Sequence, residues 1–239
     1  MVAGLTDKLG IAPAEIVFFT QRDAYGDSGF VGGMNALRAR GLKDESAIHH
    51  LRYERNTAAV DKAVAELLLI DPPPRAVIMV GAYRPSAAFV KLARHYGVTA
   101  RFLSVSFVGP MSLLRQLGDD GEGVIITQVV PGVESDAPIV ADYQRAFSAA
   151  HPGRASGYVS LEGYVATRIL CRALATIEGT IDREAVVRSL EGLGAFDIGL
   201  GEPLRLSHDE HQACHRVWPT IIRGGKIVPL DWAELQGSR

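Results

Sequence analysis

Cysteine is scarce in this chain: Cys171 and Cys214 are the only two among 239 residues, and their separation matches neither a zinc ribbon nor a redox pair. One disulfide in an oxidising compartment and two buried free thiols both fit that pair. A surplus of one charge is missing as well. Lys and Arg number 25 against 27 Asp and Glu, a formal charge of −2, so there is no concentrated basic surface and no nucleic-acid partner is expected. Long apolar runs are absent: 76–83, one of the longer ones, falls far short of the roughly 20 residues that a bilayer demands. Near the N-terminus, Asp7, Lys8, Glu15, Arg22 and Asp23 leave no uninterrupted apolar h-region of a secretory signal. No P-loop occurs and no dinucleotide fingerprint follows the first strand, so no cofactor is implied. What is present is 47% hydrophobic and 22% charged residues with 25 Gly and 12 Pro. That excludes disorder, collagen and coiled coil, and gives length enough to bury roughly three quarters of the unfolded surface in one large domain or two small ones. A small, roughly neutral ligand suits this balance.

Up to about residue 130, short β-branched runs alternate with helical patterns. Strands are expected at 16–19, 47–51, 76–80, 101–105 and 124–129, with helices at 29–40, 59–69, 86–96 and 111–117 between them. Strand starts recur every 25 to 30 residues or so, the size of a βαβ unit, and several runs are apolar throughout, as strands covered on both faces should be. The expected class is therefore α/β, a doubly wound parallel sheet. Beyond Pro131 the rhythm changes to helices at 137–149, 158–178 and from Thr180 or Asp182 to Leu190, followed by short strands at 217–222 and 227–230 around a Gly224-Gly225 hairpin. These late helices have no strands of their own to cover. The domain reading is 1–130 as one α/β lobe and 131–239 as a crossing, helices of a second lobe and strands returning towards the lobes.

Three loops could carry chemistry. Gln21 to Phe30, containing Tyr25, follows the first strand; in open α/β sheets that is where ligand crevices form. The plainer reading is a capped helix start, with Asp27 or Ser28 feeding N–H groups and Gly26 turning the chain. Gly81-Ala82-Tyr83 follows the third strand in the same position, although Tyr83 could equally be rim packing with Pro85 starting a helix. Ser104 to Pro110 follows the fourth strand and is expected to bring two hydroxyls, Ser104 and Ser106, and the ring of Phe107 to the same edge. Gly26-Asp27-Ser28-Gly29 echoes the nucleophile tetrapeptide of trypsin-like proteases, but an activated serine needs a base and no histidine is evidently placed to serve Ser28. His208, His211, Cys214 and His215 could share one helical face and suit zinc if that helix existed. Their spacing does not enforce a ligand geometry, and a polar turn is the competing reading.

With those loops in view, the chain resembles the type I periplasmic-binding-protein family, in particular the branched-chain amino acid (Leu/Ile/Val) binding proteins of ABC transporters. The resemblance rests on Asp23-Ala24-Tyr25-Gly26, Gly81-Ala82-Tyr83, the run from Phe102 to Gly109, Glu122-Gly123-Val124 leading to Pro131, Tyr158 to Tyr164, and Asp209 to Trp218. It implies a two-lobed clamp that closes on a ligand, of which this chain matches the second lobe and the C-terminal part, with most of the first lobe expected upstream. It also implies contacts from Tyr25 and Tyr83, while Ser106 stands where leucine-binding members hold a carboxylate for the ligand's ammonium group. Without that carboxylate an α-amino group would enter the cleft unpaired, which is costly. Phe107 suggests stacking instead, so the expected ligand is an amide, an aromatic acid or an amino-acid-like metabolite.

On the same resemblance 129–133 is a hinge crossing, the partner is a membrane permease, and the compartment is periplasmic or extracellular. The uncovered helices imply truncation, or self-association through that face. The leading expectation is a non-enzymatic solute-binding component of an ABC-type uptake system. A ligand-sensing regulatory domain of the same fold, acting on a partner protein, is the alternative.

Overall fold

A computed structural model of the chain describes residues 1–237. The chain divides into two compact units, residues 1–128 together with the segment from Pro219 onward, and residues 129–218.

The first unit is built on a seven-stranded sheet. Its strands are β1 (Ile16–Gln21), β2 (His50–Tyr53), β3 (Ala76–Val80), β4 (Arg101–Val105), β5 (Ile125–Gln128), β8 (Trp218–Arg223) and β9 (Lys226–Pro229), in the spatial order β2-β1-β3-β4-β5-β8-β9. From β2 to β5 every recorded pairing is parallel. Parallel strands need crossovers, and α1 (Ala24–Arg38), α2 (Asp61–Leu68), α3 (Tyr83–His95) and α4 (Pro110–Leu117) supply them. Side chains alternate across the sheet. Val17, Phe19, Val77, Met79, Phe102 and Ile126 therefore face α2, α3 and α4 in one core, while Ile16, Phe18, Ile78, Leu103 and Ile125 face α1 and the chain's terminal segments in a second. Both faces are covered, which is why β3 and the first four residues of β1 read as continuous apolar runs.

The second unit packs α5 (Pro138–Ala150), α6 (Tyr158–Leu174), α7 (Arg183–Gly192) and the short hairpin of β6 (Gly194–Phe196) and β7 (Leu204–Leu206) around Ile139, Val140, Tyr143, Leu161 and Val165. Tyr143 ties α5 to the start of α6: its hydroxyl lies 2.6 Å from Ser160 Oγ and accepts the Gly157 N–H at 3.1 Å. Large apolar side chains stay exposed on this unit, among them Val159, Leu170, Ile181 and Val187.

Several expected boundaries shift for local reasons. The helix after β1 starts at Ala24 instead of residue 29, because Asp23, rather than Asp27 or Ser28, is its N-cap and accepts the Gly26 N–H at 3.1 Å. The helix after β3 starts at Tyr83 instead of 86; Pro85 sits in its first turn, where its missing N–H costs nothing. Strand β2 begins at His50 because 45–47 form a 3-10 turn capped by Asp44. The β8–β9 turn has positive φ at both Gly224 (53°) and Gly225 (71°), the condition a two-residue primed turn imposes. The hairpin of β6 and β7 was not foreseen. Both cysteines are free, but neither is buried: Cys171 is exposed and Cys214 half-exposed.

Candidate ligand-binding site

The order β2-β1-β3 makes β1 the point where the winding reverses. The connection leaving β1 carries α1 to one face of the sheet, and the connection leaving β3 carries α3 to the other. The two segments part at the carboxyl ends of neighbouring strands and leave a crevice there. Tyr25 stands in the first turn of α1 and Tyr83 is the first residue of α3.

Glycine sets how closely these turns approach the sheet. A Cβ on Gly26 would collide with the backbone carbonyl of Gln21, so the first turn of α1 can pack against the end of β1 only with hydrogen at that position. The Tyr25 ring lies 5.0 Å from the ring of Phe107, inclined at 55°. Its hydroxyl is buried and has no hydrogen-bond partner among the described residues. Burial first, then the nearby Tyr53 and Asp23, push the Tyr25 phenol up to about 12, so it stays a neutral donor across the physiological range.

Phe107 is 78% exposed. It belongs to the 3-10 turn Ser106–Val108 after β4, where Ser106 is half-buried. The turn ends at Gly109, whose φ of 76° is left-handed, and a Cβ there would lie 4.0 Å from Cδ1 of Tyr83. Tyr83 is 38% exposed. The structure thus brings Tyr25, Tyr83, Ser106 and Phe107 to one edge of the first unit. Ser104 is not with them: it is buried within β4 with its hydroxyl 3.4 Å from the Met79 carbonyl, on the covered face it shares with Phe102.

The two carboxylates flanking Tyr25 are already engaged. Asp23 caps α1, accepts from Gln21 Nε2 at 2.6 Å and lies 3.6 Å from Arg55, while Asp27 accepts from Arg52 of β2. Capping and hydrogen bonding hold the Asp23 carboxyl below the usual range, so it stays ionised and acceptor-only. Sequence reasoning missed Arg52 and Tyr53 because it ended the strand at residue 51. The period-2 alternation of His50-Leu51-Arg52-Tyr53 was the signal available, and Leu51 and Tyr53 are the buried members.

The other candidates do not assemble. Ser28 is exposed on α1. His50, at the start of β2, is 2.7 Å from Thr20 Oγ1 and stacks on Phe30. The helix that would have aligned His208, His211, Cys214 and His215 is absent; Ser207 and Glu210 close a turn instead. His208 and His211 both face Glu191 at 3.6 and 3.0 Å, His215 faces Glu210, and the Cys214 thiol faces Glu202. Among the described residues no group of three or more such side chains is arranged to hold a metal ion. Nor is any helix among them long and apolar enough to cross a membrane.

A doubly wound lobe with aromatic residues gathered at its switch point is the architecture of a type I solute-binding lobe. The chain belongs to the periplasmic-binding-protein family, whose sequence model matches residues 1–226. It is similar to the crystal structure of a possible leucine/isoleucine/valine-binding protein from Rhodopirellula baltica, with 46% identity and a TM-score of 0.93 over 98% of this chain and 63% of that one. A substrate-binding periplasmic protein from Ralstonia solanacearum matches at 26% identity and a TM-score of 0.80, over 96% of this chain and 64% of that one. A fatty acid ABC transporter substrate-binding protein from Thermomonospora curvata, at 20% identity and a TM-score of 0.79 over 97% of this chain and 60% of that one, shares the fold. The chain therefore spans less than two thirds of the length of these relatives. No curated protein matches it significantly.

Proposed function

We propose that the chain supplies the second lobe and C-terminal part of a solute-binding component of an ABC-type uptake system, working with a membrane permease in the periplasm or at the cell exterior. On this reading 1–130 is the ligand-binding lobe and the crossing after β5 is a hinge. The observation that carries the proposal is the Tyr25–Phe107 ring pair. It places an exposed aromatic face beside a buried, unpartnered phenol hydroxyl, which gains its missing hydrogen bond if the ring turns towards a polar-ended apolar solute stacked on Phe107.

The chemistry narrows the solute. Asp23 and Asp27 are paired with arginines, and Ser106 offers a hydroxyl in place of a carboxylate. An α-ammonium group would enter the crevice without an anionic partner, whereas a neutral amide or an aromatic acid finds stacking surface in Phe107 and donors in Tyr25 and Tyr83. The Rhodopirellula baltica relative, described as a possible leucine/isoleucine/valine-binding protein, supports an amino-acid-like framework of similar size. No part of the reading requires chemistry on the ligand.

The test is an NMR titration of the chain, with labelled tyrosine and phenylalanine rings, against phenylacetamide, phenylacetate and L-leucine. Shifts are expected at Tyr25, Tyr83 and Phe107, largest for the two aromatic probes and lost in Tyr25→Ala and Tyr83→Ala. Shifts confined to other rings, or unchanged affinity in both variants, would remove these residues from the site.

A further inference from the structure

The two tyrosine motifs each open a helix: Asp23-Ala24-Tyr25-Gly26 leads into α1 and Gly81-Ala82-Tyr83 into α3. What joins them in space is Tyr53, the last residue of β2. Its ring is buried and stacks on Phe19 at 5.1 Å. Its hydroxyl accepts the backbone N–H of Ala82, the N-cap of α3, at 3.0 Å and donates to Gln21 Oε1 at 2.9 Å. The other end of the same amide, Gln21 Nε2, donates to Asp23 Oδ2 at 2.6 Å, and Asp23 Oδ1 accepts the Gly26 N–H at 3.1 Å.

This is one directional chain of hydrogen bonds: Ala82 N–H to Tyr53, Tyr53 O–H to Gln21, Gln21 N–H to Asp23, with Gly26 N–H closing on the far carboxylate oxygen. It begins at the N-terminus of the helix that carries Tyr83 and ends in the first turn of the helix that carries Tyr25. Those helices lie on opposite faces of the sheet, and the hydrogen bonds through Tyr53 and Gln21 link their first turns across it. The glycines of both motifs make room for it. A Cβ on Gly81 would sit 2.6 Å from the Tyr53 hydroxyl, and one on Gly26 would strike the Gln21 backbone. Each would break the chain at a different link.

We infer that Tyr53 and Gln21 are positioning residues that set the orientations of Tyr25 and Tyr83 jointly, so that a displacement of either helix start is transmitted to the other. A charged link at one end and polarised neutral links along it make such a series cooperative. Tyr53 does not need to touch the solute. The inference rests on the reading of the tyrosine loops as the ligand site, but the relay's hydrogen bonds form without a solute.

Amide hydrogen exchange, followed residue by residue by NMR, tests it without a ligand. Tyr53→Phe removes one oxygen and keeps the stack on Phe19. It is expected to speed exchange at Ala82, which loses its acceptor, and also at Gly26, which Tyr53 never contacts, each on the order of fivefold, the size that losing a neutral hydrogen bond gives. Gln21→Met, which removes both amide groups at similar length, should do the same at both ends. The amide of Leu103, buried in β4, should keep its rate in both variants and so report an intact sheet. Acceleration at Ala82 alone in Tyr53→Phe, with Gly26 unchanged, overturns the relay. Coupled exchange with no probe-induced shift at Tyr25 or Tyr83 would leave the relay standing and remove the solute reading, whereas uncoupled exchange with those shifts intact removes the relay only.

Discussion

At the residue scale, the side chains that matter most are polar groups held out of water. His50 is one. Burial, helped by the neighbouring Arg52 and Arg22 and opposed by Asp27, lowers it to about 4 from 6.5, and its ring lies flat on Phe30 at 3.8 Å while a ring nitrogen meets the buried Thr20 hydroxyl. The fold therefore favours neutral imidazole, and the unfolded chain binds the extra proton. The contribution of His50 to stability is fully present above pH 6.5 and is lost as pH falls towards 4. Thermal unfolding followed by circular dichroism should show a midpoint that declines across that window, and His50→Phe should flatten the decline. An equal slope in the variant would assign the acid sensitivity elsewhere.

At the scale of elements, much of the architecture was legible. The strands 76–80 and 101–105 and the order of alternating elements follow from apolar runs too short for helices and too continuous for a one-sided sheet. The starts of α1 and α3 were misplaced by several residues, and with them the fact that both tyrosines belong to first helical turns. Periodicity cannot see the cap of α1, whose bond runs from the Asp23 side chain to an amide three residues on, and α3 has no side-chain cap to mark its start. The convergence of Tyr25, Tyr83, Ser106 and Phe107 on one edge was legible because strand ends of a parallel sheet are neighbours by construction, whereas Ser104 was misread because its pleat phase was not followed. Tyr53 was invisible as a site-organising residue, since its role depends on a register between β1 and β2 that one sequence does not print. The element most exposed to a packing test is α3, where Phe89 stacks on Phe19 at 3.9 Å with both rings fully buried. Phe89→Ala should cost about 3–5 kcal/mol in urea unfolding; a loss under about 1 kcal/mol would mean the core refills the space.

For the whole molecule, the decisive feature is that two units carry separate cores. The first covers its sheet on both faces. The second leaves Val159, Leu170, Ile181 and Val187 in solvent, and scattered apolar residues become a liability when they share a helix, as Val159 and Leu170 do on α6. The chain is expected to self-associate through this unit as its concentration rises, with Val159→Lys combined with Leu170→Lys shifting sedimentation profiles back towards monomer. A monomer at every concentration accessible to sedimentation would show that these side chains are tolerated in water.

The place of β8 in the sheet has a consequence for biosynthesis. β5 ends at Gln128, and the strand beside it begins only at Trp218. The ribosome must deliver about 90 further residues first, roughly 5 to 20 s of translation at ordinary speeds. Until the C-terminal hairpin docks, the sheet presents a bare edge of unpaired amides and carbonyls, and Gln128 lacks Thr220, whose hydroxyl bridges it to the Ile126 carbonyl. The first unit therefore closes its sheet last, by the arrival of the C-terminal hairpin at β5.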